Sequence, residues 1–197
     1  DRILLHDLSG YRALKSLEEA GEAVAHPEMV LGSPDHTAAS DPDNPAGGKA
    51  YGQVGDEFRE LCKRHGIRHH HVDSPGFGIL HIIGPEQGVT LPGATLVCGD
   101  SHTCTHGGLG AFAWGIGSSE LVNVLATQTI IQRKPNRMRI SFEGRLPMGV
   151  TPKDMILHVI GREGTAAGVG FALEYAGSAI RSLDVEGRLT ICNLSIE

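Results

Sequence analysis

Aromatic residues are scarce, at 5% of 197 positions, and basic residues are outnumbered by acidic ones, 17 against 23, with no basic block anywhere. The charge deficit argues against nucleic acid or an anionic membrane surface as the main partner. The aromatic deficit, beside a 40% hydrophobic content that is largely aliphatic, fits helices packed on a parallel sheet better than an aromatic-rich sandwich. No apolar run approaches the roughly 18 residues of a membrane span, and no signal peptide opens the chain. The four cysteines, Cys62, Cys98, Cys104 and Cys192, lie far apart without a C-x-x-C pair, which speaks against a disulfide framework. They read as small buried hydrophobes in a reducing, cytoplasmic compartment. An initiator methionine is also missing. The chain begins at Asp1 and stops at Glu197 inside a segment of helical periodicity, so it reads as a piece of a longer protein.

Glycine is in excess: the 27 glycines are about twice the usual share of roughly 7% and fall singly between apolar segments. Tight turns around a buried sheet are the expected consequence. Gly10 to Gly21 has leucine and alanine at helical spacing and a glycine stop, which predicts a helix. "EMVLGS" is a short strand that delivers Asp35 and His36 to a loop, and residues 40 to 53, rich in Pro, Gly, Asp and Asn, read as an exposed, mobile connection. A second helix over residues 55 to 66 ends at Gly66, which can take the left-handed conformation of a helix end. Strand-like runs follow at "IRHHHV", "ILHIIG" with His81, and "ATLVCGDSHT", which opens into a polar loop.

Residues 118 to 132 predict a helix with Ser118 or Ser119 as N-cap and Glu120 favourable in its first turn. The stretch from Arg137 to Gly161 predicts a strand, a turn and a helix with Thr151 as N-cap and Pro152 at the first helical position. "GTAAGVGFALEYAGSAI" then reads as a glycine-rich turn, a strand and a small-residue helix. A boundary in the region 136 to 150 gives an α/β domain over residues 1–140 and the beginning of a second α/β domain over residues 141–197.

Chemistry concentrates in "VCGDSHTCTHGGLGAFAWGIGSSE", Val97 to Glu120. Glycines before a helix start can cradle a phosphate. The stretch nevertheless lacks G-x-x-x-x-G-K-[ST], and the order of a dinucleotide fingerprint, so its glycines more naturally let the backbone pass close to another domain or a substrate. His102, Cys104 and His106 alternate, and His69, His70 and His71 stand in a row, which raises a zinc site. C-x-x-C, one usual closed spacing for zinc, does not occur, while H-x-x-x-H does, at His65/His69 and His102/His106. The histidine row reads better as a half-exposed strand with one ring turned inward. There remain paired carboxylates and imidazoles: Asp35 with His36, His81, Asp100-Ser101-His102, and Asn193 with Glu197, four apart and able to share a helix face. A carboxylate bonded to an imidazole fixes its tautomer and brings it into a range useful for proton transfer. Such groups after strand ends occupy the place where open parallel sheets bind ligands.

The stretch from Gly78 to Thr129, with "RLTICNLSIE" at the end, resembles the large subunits of 3-isopropylmalate dehydratases in the aconitase superfamily. The resemblance is dense from Gly78 to Glu197 and thinner from Asp1 through Ser40. It implies an aconitase-like three-layer α/β/α domain with a mainly parallel sheet, and a hydro-lyase that interconverts 2-isopropylmalate and 3-isopropylmalate in leucine biosynthesis by removing and re-adding water. It further implies a 4Fe-4S cluster whose open iron, a Lewis acid, binds substrate carboxylate and hydroxyl.

Carried over position by position, Asp35 and His36 lie by the leaving hydroxyl, His81 pairs with Asp100, and His102 pairs with Glu197. Ser101 and Asn193 match positions near substrate and cluster, and His6 matches a substrate-contacting residue. The cluster cysteines, the serine base and the carboxylate-gripping arginines match nothing here, which implies that they lie on the rest of the large subunit or on a small subunit carrying a swivelling domain. No metal ligand is therefore assigned within the chain, and the chain alone is expected to be inactive. "HDLSGYRAL" and "GTAAGVG" depart from the usual "HEVTSPQAF"-like stretch and "GTAGGTG", leaving room for another substituted malate or citrate, as in homoaconitase-like or dimethylmalate dehydratase-like enzymes. A non-catalytic binding module and a zinc hydrolase built on the Asp-His loops are the readings from other classes.

Overall fold

The computed structural model describes residues 1–39, 41, 43 and 49–197. Its larger sheet has five parallel strands in the order β3-β2-β1-β4-β5, formed by β1 (Arg2–His6), β2 (Val30–Ser33), β3 (Arg68–His69), β4 (Thr95–Cys98) and β5 (Phe112–Gly115). The near-continuous apolar runs of β1 and β4 follow from burial on both faces. Ile3 and Leu5 point to one face, into a core with Leu14 and Leu17 of α1 (Ser9–Glu19), Phe58 and Leu61 of α2 (Lys49–Arg64), and Leu121 and Leu125 of the helix Ser118–Thr127. Leu4 points to the other face with Leu31 and Leu96, under Leu80 and Ile83 of α3 (Leu80–Glu86). The result is α/β, with helices on both faces of a parallel sheet.

The helix α4 (Ser118–Thr127) is shorter than its sequence predicts and is capped differently. Gly117, not a serine, is the N-cap, and its N–H donates to Glu120 Oε2 at 2.8 Å. The run "ILHIIG" is helix α3 and not a strand. A short apolar run satisfies either period, and here Leu80 and Ile83 face the sheet while Ile79 and Ile82 are exposed. Gly66 does take a left-handed conformation, at φ +69°. Half of the expected connection over residues 40 to 53 falls outside the described residues, and from Lys49 onward the chain is already helix α2.

A second, two-stranded parallel sheet pairs β6 (Asn136–Ser141) with β7 (Phe171–Ala176). They are joined through α5 (Pro152–Glu163), whose cap agrees with the sequence: Thr151 accepts from Asp154 N, and Pro152 is the first helical residue. After α6 (Ser178–Arg181), α7 (Val185–Asn193) covers Met155 and Ile156 on one side. On its other side it lies against a 3-10 helix, Ser101–Leu109, that follows β4. Gly108 makes that approach possible, because a Cβ there would stand 2.8 Å from Leu189 N and 2.9 Å from Leu189 Cα. Gly108→Ala is therefore expected to cost about 1–3 kcal/mol by forcing the two helices apart. Gly107→Ala, whose Cβ would meet Cys192 Sγ at 3.4 Å, should cost far less. Thermal denaturation of the two variants checks this, and equal melting temperatures would refute it.

Candidate active site

The strand order reverses between β1 and β4, since β2 and β3 extend the sheet to one side and β4 and β5 to the other. In open parallel sheets the crevice beyond the strand C-termini at such a switch point is where ligands bind. Here β1 runs into His6-Asp7, β2 into Pro34-Asp35-His36, and β4 into Gly99-Asp100, so the three strand ends deliver their polar residues to one place.

The side chains join into a continuous chain of hydrogen bonds. His36 Nδ1 lies 2.7 Å from Asp35 Oδ1, and His36 Nε2 lies 3.0 Å from Asp100 Oδ2. The other oxygen of Asp100 lies 2.9 Å from His81 Nε2 and also accepts from His102 N at 2.7 Å. Asp35 Oδ2 accepts from Leu80 N at 2.8 Å, which sets the anion at the first turn of α3 and ties β2's loop to the helix carrying His81. With a carboxylate on each ring nitrogen, first Asp100 and then Asp35, His36 is pushed up to about 10 and is doubly protonated at neutral pH. Asp100 is held well below the usual carboxylate range by His36 and then His81.

The sign of the resulting pH dependence follows from these shifts. The raised His36 contributes stability that is complete below its ordinary value of about 6.5 and is lost as pH rises towards 10. The depressed Asp100 contributes stability that is present above about 4 and declines in stronger acid. Both describe one ion pair, so they are not added. The difference in melting temperature between the complete subunit and its Asp100→Asn variant should be widest between about pH 4 and 6.5 and narrow towards pH 10. A difference that is flat with pH would show that the pair is not ionised.

His102 stands at the rim. Its Nδ1–H donates to the Asn193 carbonyl at 3.0 Å, and its Nε2 lies 3.5 Å from Glu197 Oε1. Asn193 ends α7, its amide donating to Thr105 Oγ1 at 2.9 Å, and Glu197 follows a further 3-10 turn, so both come to His102 from one short segment. Ser101 is exposed beside Asp100. His6 is buried beneath His36, its ring stacked at 3.8 Å between centroids and 19° between planes. Its Nδ1 accepts from Leu8 N, and its Nε2 meets Gly99 O and Ser9 Oγ, while burial pulls its titration down. His6 is thus an uncharged support against which the His36 imidazolium rests.

Three links escaped the sequence reading. Asp7, fully buried, accepts from His36 N at 3.0 Å and from Thr37 N at 2.9 Å, and also from Thr37 Oγ1, so β1 anchors the His36 loop. The Asp100 bridge from His36 to His81 joins two pairs that the sequence treats separately. His106 lies behind His81, Nε2 to Nδ1 at 3.0 Å. Nothing local in the sequence marks these links, which exist only once β1, β2 and β4 lie side by side.

Zinc sites at His102/Cys104/His106 and in the row His69 to His71 find no support in this geometry. His102, Cys104 and His106 lie on a 3-10 helix, where alternate residues do not share a side, and each makes its own protein contacts. His69 turns its ring edge onto Phe58, at 5.2 Å, and burial lowers it to about 4. Among the described residues only His6, Asp7, Asp35 and His36 bring three or more potential ligand atoms within 4.8 Å of one another, and no thiol is among them. Cys62 and Cys98 lie in the cores on opposite faces of the sheet, and burial pushes Cys62 up to about 12. No three of the four thiols gather within 4.8 Å of one another in this structure.

A family model for the aconitase family (aconitate hydratase) matches residues 1–197. The chain belongs to the aconitase family. It is 58% identical over 198 aligned residues to 3-isopropylmalate dehydratase large subunit 1 of Bradyrhizobium diazoefficiens, covering all of this chain and 41% of that relative's length. Within this aconitase-family chain no helix among the described residues is long and apolar enough to cross a membrane.

Proposed function

We propose that this aconitase-family chain supplies the acid–base part of a hydro-lyase site that interconverts 2-isopropylmalate and 3-isopropylmalate by dehydration and rehydration. The observation that carries the reading is the unbroken Asp35–His36–Asp100–His81 chain at the sheet's switch point. Loss of a hydroxyl from a 2-hydroxy acid requires a proton on the departing oxygen. His36 is a charged donor at neutral pH, with a side chain one-third exposed, so its Nε2–H can exchange Asp100 for a substrate hydroxyl. Asp100 and Asp35 keep the ring charged and aimed, and His81 holds Asp100. His102 with Glu197 forms a second imidazole–carboxylate pair at the rim, and Ser101 and Asn193 beside it are assigned to substrate contact, with His6 acting through His36.

Members of the family generally carry a 4Fe-4S cluster, which supplies a Lewis acid when bound. Its thiolate ligands are assigned to the remaining C-terminal part of the large subunit. The serine base and the cationic groups for substrate carboxylates are assigned there or to a small subunit, as the name of the Bradyrhizobium relative, a large subunit, implies a partner. The setting assigned is cytoplasmic leucine biosynthesis, without nucleic-acid or membrane partners.

The test uses the complete large subunit with its small subunit, reconstituted without oxygen and offered 3-isopropylmalate and citrate side by side. Turnover of 3-isopropylmalate through an absorbing unsaturated intermediate, with bound iron, is the expected result. Iron with turnover of citrate alone would reassign the substrate, and zinc without iron would overturn the reaction class.

A further inference from the structure

The hydrogen-bond chain does not end at His81. The ring nitrogen turned away from Asp100, His81 Nδ1, lies 3.0 Å from His106 Nε2, and His106 Nδ1 lies 2.7 Å from Thr90 Oγ1. His81, His106 and Thr90 are all buried, His106 completely. Gly84 of α3 leaves the room for this, because a Cβ there would stand 3.0 Å from His106 Cε1 and 3.1 Å from Thr90 Oγ1. The rings of His81 and His106 meet edge-on, at 79° between planes, which aims the two nitrogens at each other.

Two facing ring nitrogens share one proton, so only two arrangements are open. Asp100 is an acceptor, so His81 Nε2 carries a hydrogen in both. In the first, Thr90 O–H donates to His106 Nδ1, His106 Nε2–H donates to His81 Nδ1, and His81 is a neutral ring with its one hydrogen facing Asp100. In the second, His81 carries hydrogens on both nitrogens, His106 accepts at Nε2, and its Nδ1–H donates to Thr90. The second arrangement needs a full positive charge on His81, whereas the first satisfies every donor and acceptor of the relay with neutral rings alone. His106 takes no charge itself, since burial lowers it to about 3.

We propose that His106, held by Thr90, is a positioning residue that fixes His81 as its neutral Nε2–H tautomer, so that the negative charge of Asp100 remains directed at His36. This rests on the hydro-lyase roles assigned to His36, His81 and Asp100 above. Removing the His106 donor leaves His81 Nδ1 a buried acceptor without a partner. The ring relieves this by rotating or by taking its other tautomer, with the hydrogen on Nδ1 facing an entering water and none facing Asp100, and either outcome weakens the hold of Asp100 on His36.

The experiment measures kcat and KM of the complete two-subunit enzyme against pH for His106→Phe, His106→Gln and Thr90→Val, with melting temperature recorded for each. His106→Phe is expected to lower kcat about 10–100-fold with little change in KM, and to move the alkaline limb to lower pH. His106→Gln, whose amide can both donate to His81 and accept from Thr90, should recover most of kcat and restore the limb. Thr90→Val should show the same shift in smaller measure, and it decides the matter if His106→Phe does not fold. A wild-type profile in His106→Phe, an unmoved limb in Thr90→Val, or equal loss in the Phe and Gln variants with an unmoved limb would overturn the proposal. A His81→Phe control separates the two levels. Full activity in that control overturns the role of His81 itself, whereas lost activity beside a wild-type-like His106→Phe overturns only the positioning role.

Discussion

Asp100→Asn in the complete enzyme is expected to lower kcat by about 10²–10⁴-fold and to bring its alkaline limb down by more than a pH unit. Asp100 is the one side chain that meets both His36 Nε2 and His81 Nε2. An amide has a single acceptor oxygen, so one of the two rings would face an NH2 group and must give up its hydrogen or turn away. His36 then retains only Asp35, the second of the two carboxylates that hold it protonated, and loses its proton at lower pH. The fold should survive, because an asparagine can still accept from His102 N as N-cap of the 3-10 helix. Lost turnover with intact iron content and a displaced limb is the expected combination. Wild-type turnover would remove Asp100 from the chemistry.

The largest expected effect on stability lies at Asp7. Asp7→Ala strands three donors, His36 N, Thr37 N and Thr37 Oγ1, at a position with no solvent exposure. At about 1–3 kcal/mol for each buried group left unsatisfied, less whatever an entering water recovers, the loss is about 3–6 kcal/mol. That is a large part of the roughly 5–15 kcal/mol that holds a domain folded. Asp7→Asn keeps one acceptor and should fall between the two. Urea denaturation of the complete large subunit measures the series, and an Asp7→Ala variant as stable as the parent would mean that water replaces the carboxylate.

Parts of this arrangement were legible in the sequence for identifiable reasons. The cap at Thr151 with Pro152 is a local device that depends on neighbours within one turn. The pairing of Asp35 with His36 is likewise local, at 2.7 Å between adjacent residues. The parallel sheet follows from the largely aliphatic hydrophobic content, of which the run Leu96 to Cys98 in "ATLVCGDSHT" is a buried strand. The run Ile79 to Ile83 reads as a strand because a short apolar run fits either period, and the helix emerges only from the sheet beneath, which takes Leu80 and Ile83 on one face. The Asp100 link to His36 and the anchor from Asp7 span 64 and 29 positions along the chain, and no periodicity encodes such contacts. His6 carried a resemblance to a substrate contact, while its burial and its stack on His36 depend on where β1 and β2 end.

The most direct measurement of whether His36 is the proton donor of a dehydration is a single turnover of 3-isopropylmalate by the complete two-subunit enzyme. Wild type and His36→Gln would be compared at equal iron content, following the unsaturated intermediate by absorbance. The expected result is a burst of intermediate in the wild type and a rate at least about 100-fold lower in the variant, with substrate still bound. Intermediate formed at the wild-type rate by His36→Gln would contradict it.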